Sequence, residues 1–85
     1  MSDTLPPSGW ALHNDTLQRE FIFQDFVGAF GFMTQVALLA EKVDHHPNWY
    51  NVYNRVTITL TTHDADNTVT HKDLALASAI NGLIQ

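Results

Sequence analysis

Residues 41–63 read EKVDHHPNWYNVYNRVTITLTTH. Within them the run from Arg55 to His63 alternates Val56, Ile58 and Leu60 with Thr57, Thr59 and Thr61, the period of a strand with one apolar and one polar face. Asn48 to Val52 reads as the strand before it. Tyr53-Asn54 is the two-residue turn between them, with Asn54 suited to a left-handed conformation. A row of threonines predicts an antiparallel sheet covered by helices on one side only, its other face open to solvent. Upstream, Pro47 disfavours the helical region for His46, so a preceding helix should stop near Asp44.

That helix is expected over Phe26 to about Val43. Asp25 is a fitting N-cap, its carboxylate accepting from free N–H groups of the first turn. Phe26, Phe30, Met33, Ala37 and Ala40 form one apolar stripe, and Ala29, Phe32, Val36, Leu39 and Val43 form a second beside it. The combined arc is too wide for one sheet face, which predicts that one stripe packs on the sheet and part of the other meets a partner subunit.

Before the helix, Trp10 to Leu12 and Leu17 to Phe23 read as a first hairpin across His13-Asn14-Asp15-Thr16, with Phe21 and Phe23 inward. Downstream of the second hairpin, Asp64 to Val69 is a loop. Thr70 with Asp73 then makes a capping-box-like start to a helix ending near Leu83, with Leu74, Ala77, Ile80 and Leu83 toward the sheet. Residues 1–9, with Pro6-Pro7, read as a flexible leader, and 10–85 as one domain. The order β-β-α-β-β-α predicts an α+β fold, a four-stranded antiparallel sheet with helices packed on one face.

An 85-residue chain buries only about 60 to 65% of the surface its unfolded form exposes. Without cysteine it has no disulfide framework or Cys-containing zinc site. Packing against another copy is the remaining source of buried area, so a homodimer or homotetramer is expected. A net charge of -5, with Arg19, Lys42, Arg55 and Lys72 as the formal cations, argues against a surface that tracks phosphates. No direct nucleic-acid binding is expected. The N-terminus lacks a basic start followed by an apolar core, and no apolar run near about 18 residues suggests a membrane span. The expected location is the cytoplasm, with the nucleus as a further possibility.

Three of the five histidines, one of the two tryptophans and both tyrosines fall within residues 41–63. Imidazoles exchange protons near neutrality, their ordinary pKa being about 6.5. A hairpin centred on Tyr53-Asn54 sets Trp49 opposite Ile58, and the same count continued brings His63 to Asp44, beside His45 and His46. A trio of histidines is also a known zinc ligand set, but consecutive residues on extended backbone project to opposite faces, so no metal is expected. Asp64 to Thr68 begins like a calcium loop but lacks the sixth-position glycine and has Ala75 where a bidentate glutamate is needed. His13 and His71 stand apart from this group.

The residues His45-His46-Pro47, Trp49, Asn51-Val52-Tyr53-Asn54, Leu60 and Thr62-His63 resemble the pterin-4a-carbinolamine dehydratase family. Phe32-Met33, Val36-Ala37 and Ala40-Glu41-Lys42 extend the resemblance, which runs from Trp10 to Ile80. It implies the same architecture and a hydro-lyase that dehydrates 4a-hydroxytetrahydropterin to quinonoid dihydropterin. That is the step that recycles tetrahydrobiopterin after aromatic amino-acid hydroxylation, and it uses no metal or redox cofactor. His45 and His63 would be the principal acid and base, in either order, with His46 assisting.

Trp49 would wall the pterin ring, and backbone groups near Pro47, Thr62, Asp64 and Ala65 would bind its polar edge. Glu41 would hydrogen-bond in the site or remain a solvated helix carboxylate; Asp73 would orient an imidazole or serve only as a cap. Asp66-Asn67 stands where the family usually has Gly-Gly, a departure from the pattern beside the site in which Asn67 can occupy a left-handed position as glycine would, preserving the turn. The resemblance also implies an alternative role, as a dimerisation partner of a transcription factor through the helical surface.

Overall fold

Strand pairing follows the alternation of the second hairpin. In the computed structural model, which describes residues 5–84, the elements are β1 (Ala11–His13), β2 (Thr16–Ile22), α1 (Phe26–Val43), β3 (Asn48–Val52), β4 (Arg55–Leu60) and α2 (His71–Gly82), with a 3-10 turn at His63–Ala65. The strands form one antiparallel sheet in the order β1-β2-β4-β3, so the best-alternating segment is interior and paired on both sides. Val56, Ile58 and Leu60 are fully buried. They share a core with Leu17 and Phe21 of β2, with Ala29, Phe32 and Val36 of α1, and with Leu76, Ala77 and Ile80 of α2. Thr57 and Thr59, on the other face, remain partly exposed. The fold is the expected α+β layer pair.

Several boundaries differ from the sequence reading. β4 ends at Leu60 and does not reach His63, because both neighbours run out: β2 pairs with it only as far as Leu17 opposite Leu60, and β3 only as far as Asn48 opposite Thr59. The chain then makes an isolated bridge between Thr62 and Thr68. β1 starts at Ala11, because the Trp10 ring is drawn into the core, where its Nε1–H donates to Asn81 Oδ1 at 2.9 Å. In the β3–β4 turn Tyr53, not Asn54, is left-handed, with φ 50°. Asn51 Nδ2 holds that turn by donating to the Tyr53 and Arg55 carbonyls, while Asn54 Nδ2 is committed to the Phe23 carbonyl at 3.0 Å.

Of the expected leader, residues 1–4 lie outside the described residues; the Ser8 carbonyl accepts from Arg19 of β2 at 2.9 Å and from Asn81 of α2 at 3.0 Å.

Asp25 caps α1 through Gly28 N–H at 2.8 Å. The sheet-facing stripe is Ala29, Phe32 and Val36 with Ala40, while Val43 of the same expected stripe is exposed. Phe26, Phe30, Val27 and Leu38 form an apolar outer face that nothing in this chain covers among the described residues. Contrary to the expectation of no such run, α1 is long and apolar enough by composition to cross a membrane, 18 residues at mean hydropathy 1.3; its inner stripe is nevertheless committed to the sheet. In α2, Ala77 and Ile80 are buried as expected, Leu74 and Leu83 are only partly so, and Leu76 and Asn81 join the interior.

The two faces of β4 predict opposite mutational costs. Ile58→Ala should lower the unfolding free energy by about 2–5 kcal/mol, and Thr57→Ala should stay within about 0.5 kcal/mol, both measured by urea denaturation.

Candidate functional site

The open end of the sheet, where β3 and β4 stop, meets the C-terminus of α1 and the N-terminus of α2. A cleft of about 360 Å³ lies there, lined by Asp44, His45, His46, Pro47, Asn48, Thr59, Thr61, Thr62, His63, Asp64 and Lys72. Its volume is in the usual range for small-molecule sites, about 300–1,000 Å³. All three expected histidines contribute to it.

Each imidazole arrives by a local backbone device. Asp44 takes a left-handed conformation, φ 54° and ψ 44°, its N–H bonded back to the last turn of α1. The His45 N–H bonds to the Ala40 carbonyl at 3.1 Å, the closure by which a left-handed cap ends a helix. This turns His45 and His46 out of the helix before Pro47 resumes extended chain. His63 opens the 3-10 turn that follows the end of β4.

The two adjacent imidazoles have unlike surroundings. His45 is largely buried, and its Nε2 lies 2.6 Å from Oδ1 of Asp73, which is fully buried. The other carboxylate oxygen, Oδ2, accepts from Thr62 Oγ1 at 2.7 Å and from Thr70 N–H at 2.8 Å. A carboxylate ringed by donors is satisfied only if His45 Nε2 also carries a proton. That assigns the tautomer, leaving Nδ1 as the nitrogen able to accept a proton. His46 Nε2 meets Glu41 Oε1 at 2.8 Å, but both are well exposed, so this pair orients the ring more than it stabilises the fold.

Other expected site residues are distributed differently. Trp49 does not line the cleft. Asn48 and its cross-strand partner Thr59 do, and the next residue alternates to the opposite face of the strand, opposite Ile58. Ala65 is also outside the lining, its carbonyl taken by Thr68 Oγ1 at 2.7 Å and its N–H by the Thr62 carbonyl. Glu41 and Asp73 are outside the lining and contact His46 and His45 respectively. Pro47, Thr62 and Asp64 line the cleft.

Asp44, Asn48, Thr59, Thr61 and Lys72 complete the lining without having been singled out as site residues. Strand parity could have found Thr59 and Thr61, which share the open face with Asn48. Asp66 and Asn67, where Gly-Gly was expected, both take left-handed backbone, φ 58° and 59°, so the loop keeps a conformation that glycine would favour. Among the described residues no group of three or more His, Asp or Glu side chains is arranged to hold a metal ion.

Residues 1–83 match the family model for pterin 4 alpha carbinolamine dehydratase. Proteins named for pterin-4-alpha-carbinolamine dehydratase from two strains of Prochlorococcus marinus are similar: one is 55% identical over 88% of this chain and 78% of its own, the other 57% identical over 95% and 81%. The crystal structure of a transcriptional coactivator/pterin dehydratase from Brucella melitensis superposes with a TM-score of 0.83 at 49% identity, covering 88% of this chain and 81% of that one.

The junction at Asp73 carries a stability prediction of its own. Asp73→Asn replaces an acceptor of three donors with a group that must turn N–H toward some of them, and should cost about 1–3 kcal/mol, read from the urea midpoint.

Proposed function

The chain belongs to the pterin 4 alpha carbinolamine dehydratase family of hydro-lyases, and from that premise we propose that imidazole acid–base chemistry in the cleft removes water from a 4a-hydroxytetrahydropterin. The observation that carries this reading is the His45–Asp73 contact inside a cleft shared with His46 and His63. Loss of water from a carbinolamine breaks a C–O bond as a proton reaches the departing hydroxyl. A second proton leaves the ring nitrogen as the C=N bond forms. One proton is taken and one given, and no oxidant or reductant enters the balance.

His45, with Nε2–H held by Asp73, takes the ring-nitrogen proton on Nδ1. His63, which lines the same cleft, delivers a proton to the hydroxyl. His46, oriented by Glu41, positions the hydroxyl at the rim. The polar lining from Asn48, Thr59, Thr61 and the acidic Asp44 and Asp64 suits the amide and amine edge of a pterin. The same reading extends to the recycling of tetrahydrobiopterin.

A further observation favours assembly. The outer face of α1 presents Phe26, Phe30, Val27 and Leu38 to solvent, and grouped exposed apolar side chains mark interaction surfaces. We infer that this face joins copies of the chain into a homodimer or homotetramer. Partnership with a transcription factor would use the same face, and the similarity to the Brucella coactivator/dehydratase supports it as the second reading.

Two experiments test these proposals. With chemically generated 4a-hydroxytetrahydropterin, His45→Ala and His63→Ala should each slow dehydration by about 100 to 10,000-fold; near wild-type rates in both would overturn the assignment. Light scattering during size-exclusion chromatography should give a multiple of 9.6 kDa, reduced to the monomer by Phe30→Glu with Leu38→Glu.

A further inference from the structure

Thr62 makes more hydrogen bonds at the site than a residue holding substrate by its backbone requires. Its N–H donates to the Thr68 carbonyl at 2.9 Å, and its carbonyl accepts from Ala65 and Asn67 N–H, both at 3.1 Å. Those bonds fix the turn that begins with His63. Its side chain, on a residue only 5% exposed, faces the other way, into the junction behind His45.

The direction of each bond in that junction follows from counting protons. Thr62 Oγ1 has one proton and gives it to Asp73 Oδ2 at 2.7 Å. The Thr70 hydroxyl, 2.7 Å from Thr62 Oγ1, must therefore be the donor between the two. Thr70 Oγ1 in turn accepts from Lys72 N–H at 3.3 Å. The chain of donors runs from the first turn of α2 through two hydroxyls to the carboxylate, an arrangement in which each bond polarises the next.

The helix cap does not need Thr62: the capping box is complete with Thr70 and Asp73 alone. The hydroxyl adds a second donor to an oxygen already bonded to Thr70 N–H, which stops the carboxylate rotating and keeps Oδ1 on His45 Nε2. We propose that the Thr62 hydroxyl is a positioning group for the reaction. Through Asp73 it sets the tautomer and orientation of His45, while its backbone holds the turn that carries His63, so one residue bears on two of the cleft's histidines. This rests on the acid–base reading of His45.

The test compares Thr62→Val, which keeps the shape and removes the donor, with Thr62→Ser, which keeps the donor. The tautomer of His45 is read on substrate-free protein by nitrogen-15 imidazole spectra. In the native chain and in Thr62→Ser the proton should sit on Nε2; in Thr62→Val signals of both tautomers should appear. With the pterin substrate, kcat of Thr62→Val should fall about 10-fold, the equivalent of one hydrogen bond to a charged group, while KM changes less than kcat and Thr62→Ser is restored. Thr62→Ala serves in the same way if the valine variant does not fold. A pure Nε2–H tautomer and native kcat in a folded variant without the hydroxyl would overturn the proposal. Absence of turnover by the native chain would instead sink the dehydratase mechanism, and the spectra would still decide the role of Thr62.

Discussion

A buried carboxylate holds the site together. Asp73 is fully enclosed, and taking a carboxylate out of water is costly unless donors replace the solvent. Here they come from three parts of the chain: His45 after α1, Thr62 after β4, and Thr70 at the start of α2. Satisfying its oxygens brings the ends of both helices and the end of the sheet together. The cleft is the solvent-facing side of that convergence. Among the described residues no buried side-chain polar atom is left without a partner, so the junction is a closed network and stiffens what it joins.

The sheet supplies the other half of the geometry. Its helix-covered face is filled by Val56, Ile58 and Leu60 with the aromatic cluster Trp10, Phe21, Phe23 and Phe32, whose rings meet edge-on or tilted at centroid distances of 4.7 to 5.9 Å. A second network, Arg19 and Trp10 on Asn81 with the Ser8 carbonyl accepting from Arg19 and Asn81, pins the opposite end of α2. Held at both ends, α2 presents Asp73 at a fixed height above the strand that ends at Leu60. Among the described residues the outer face of α1 has no such partner, and apolar area left in water is the surface on which a small domain gains stability by association.

Features governed by neighbours in sequence were legible. The alternation of Val56 to Thr61, the Asp25 cap, the Thr70–Asp73 box and the turn at Tyr53-Asn54 each depend on residues within a few positions, and each is present. The gathering of His45, His46 and His63 was also legible, because a hairpin makes the ends of its arms neighbours. Trp49 shows where such counting stops: topology brought it near the histidines, but strand parity turned it to the other face. Thr62 and Ala65 were grouped as backbone contacts, whereas one has a side chain built into the carboxylate network and the other is engaged in its own turn.

The sequence by itself determined the α+β order, the one-sided sheet and the histidine-bearing segments, because hydrophobic period and capping chemistry are short-range properties of a chain. Only the tertiary structure decided which nitrogen of His45 is held, which stripe of α1 is buried, where β4 ends and that residues 7–9 are fastened to β2 and α2. Each of those depends on a contact between residues far apart in sequence, 28 positions in the case of His45 and Asp73 and 73 for Ser8 and Asn81, and no local pattern encodes a bond whose two ends meet only after the sheet has closed.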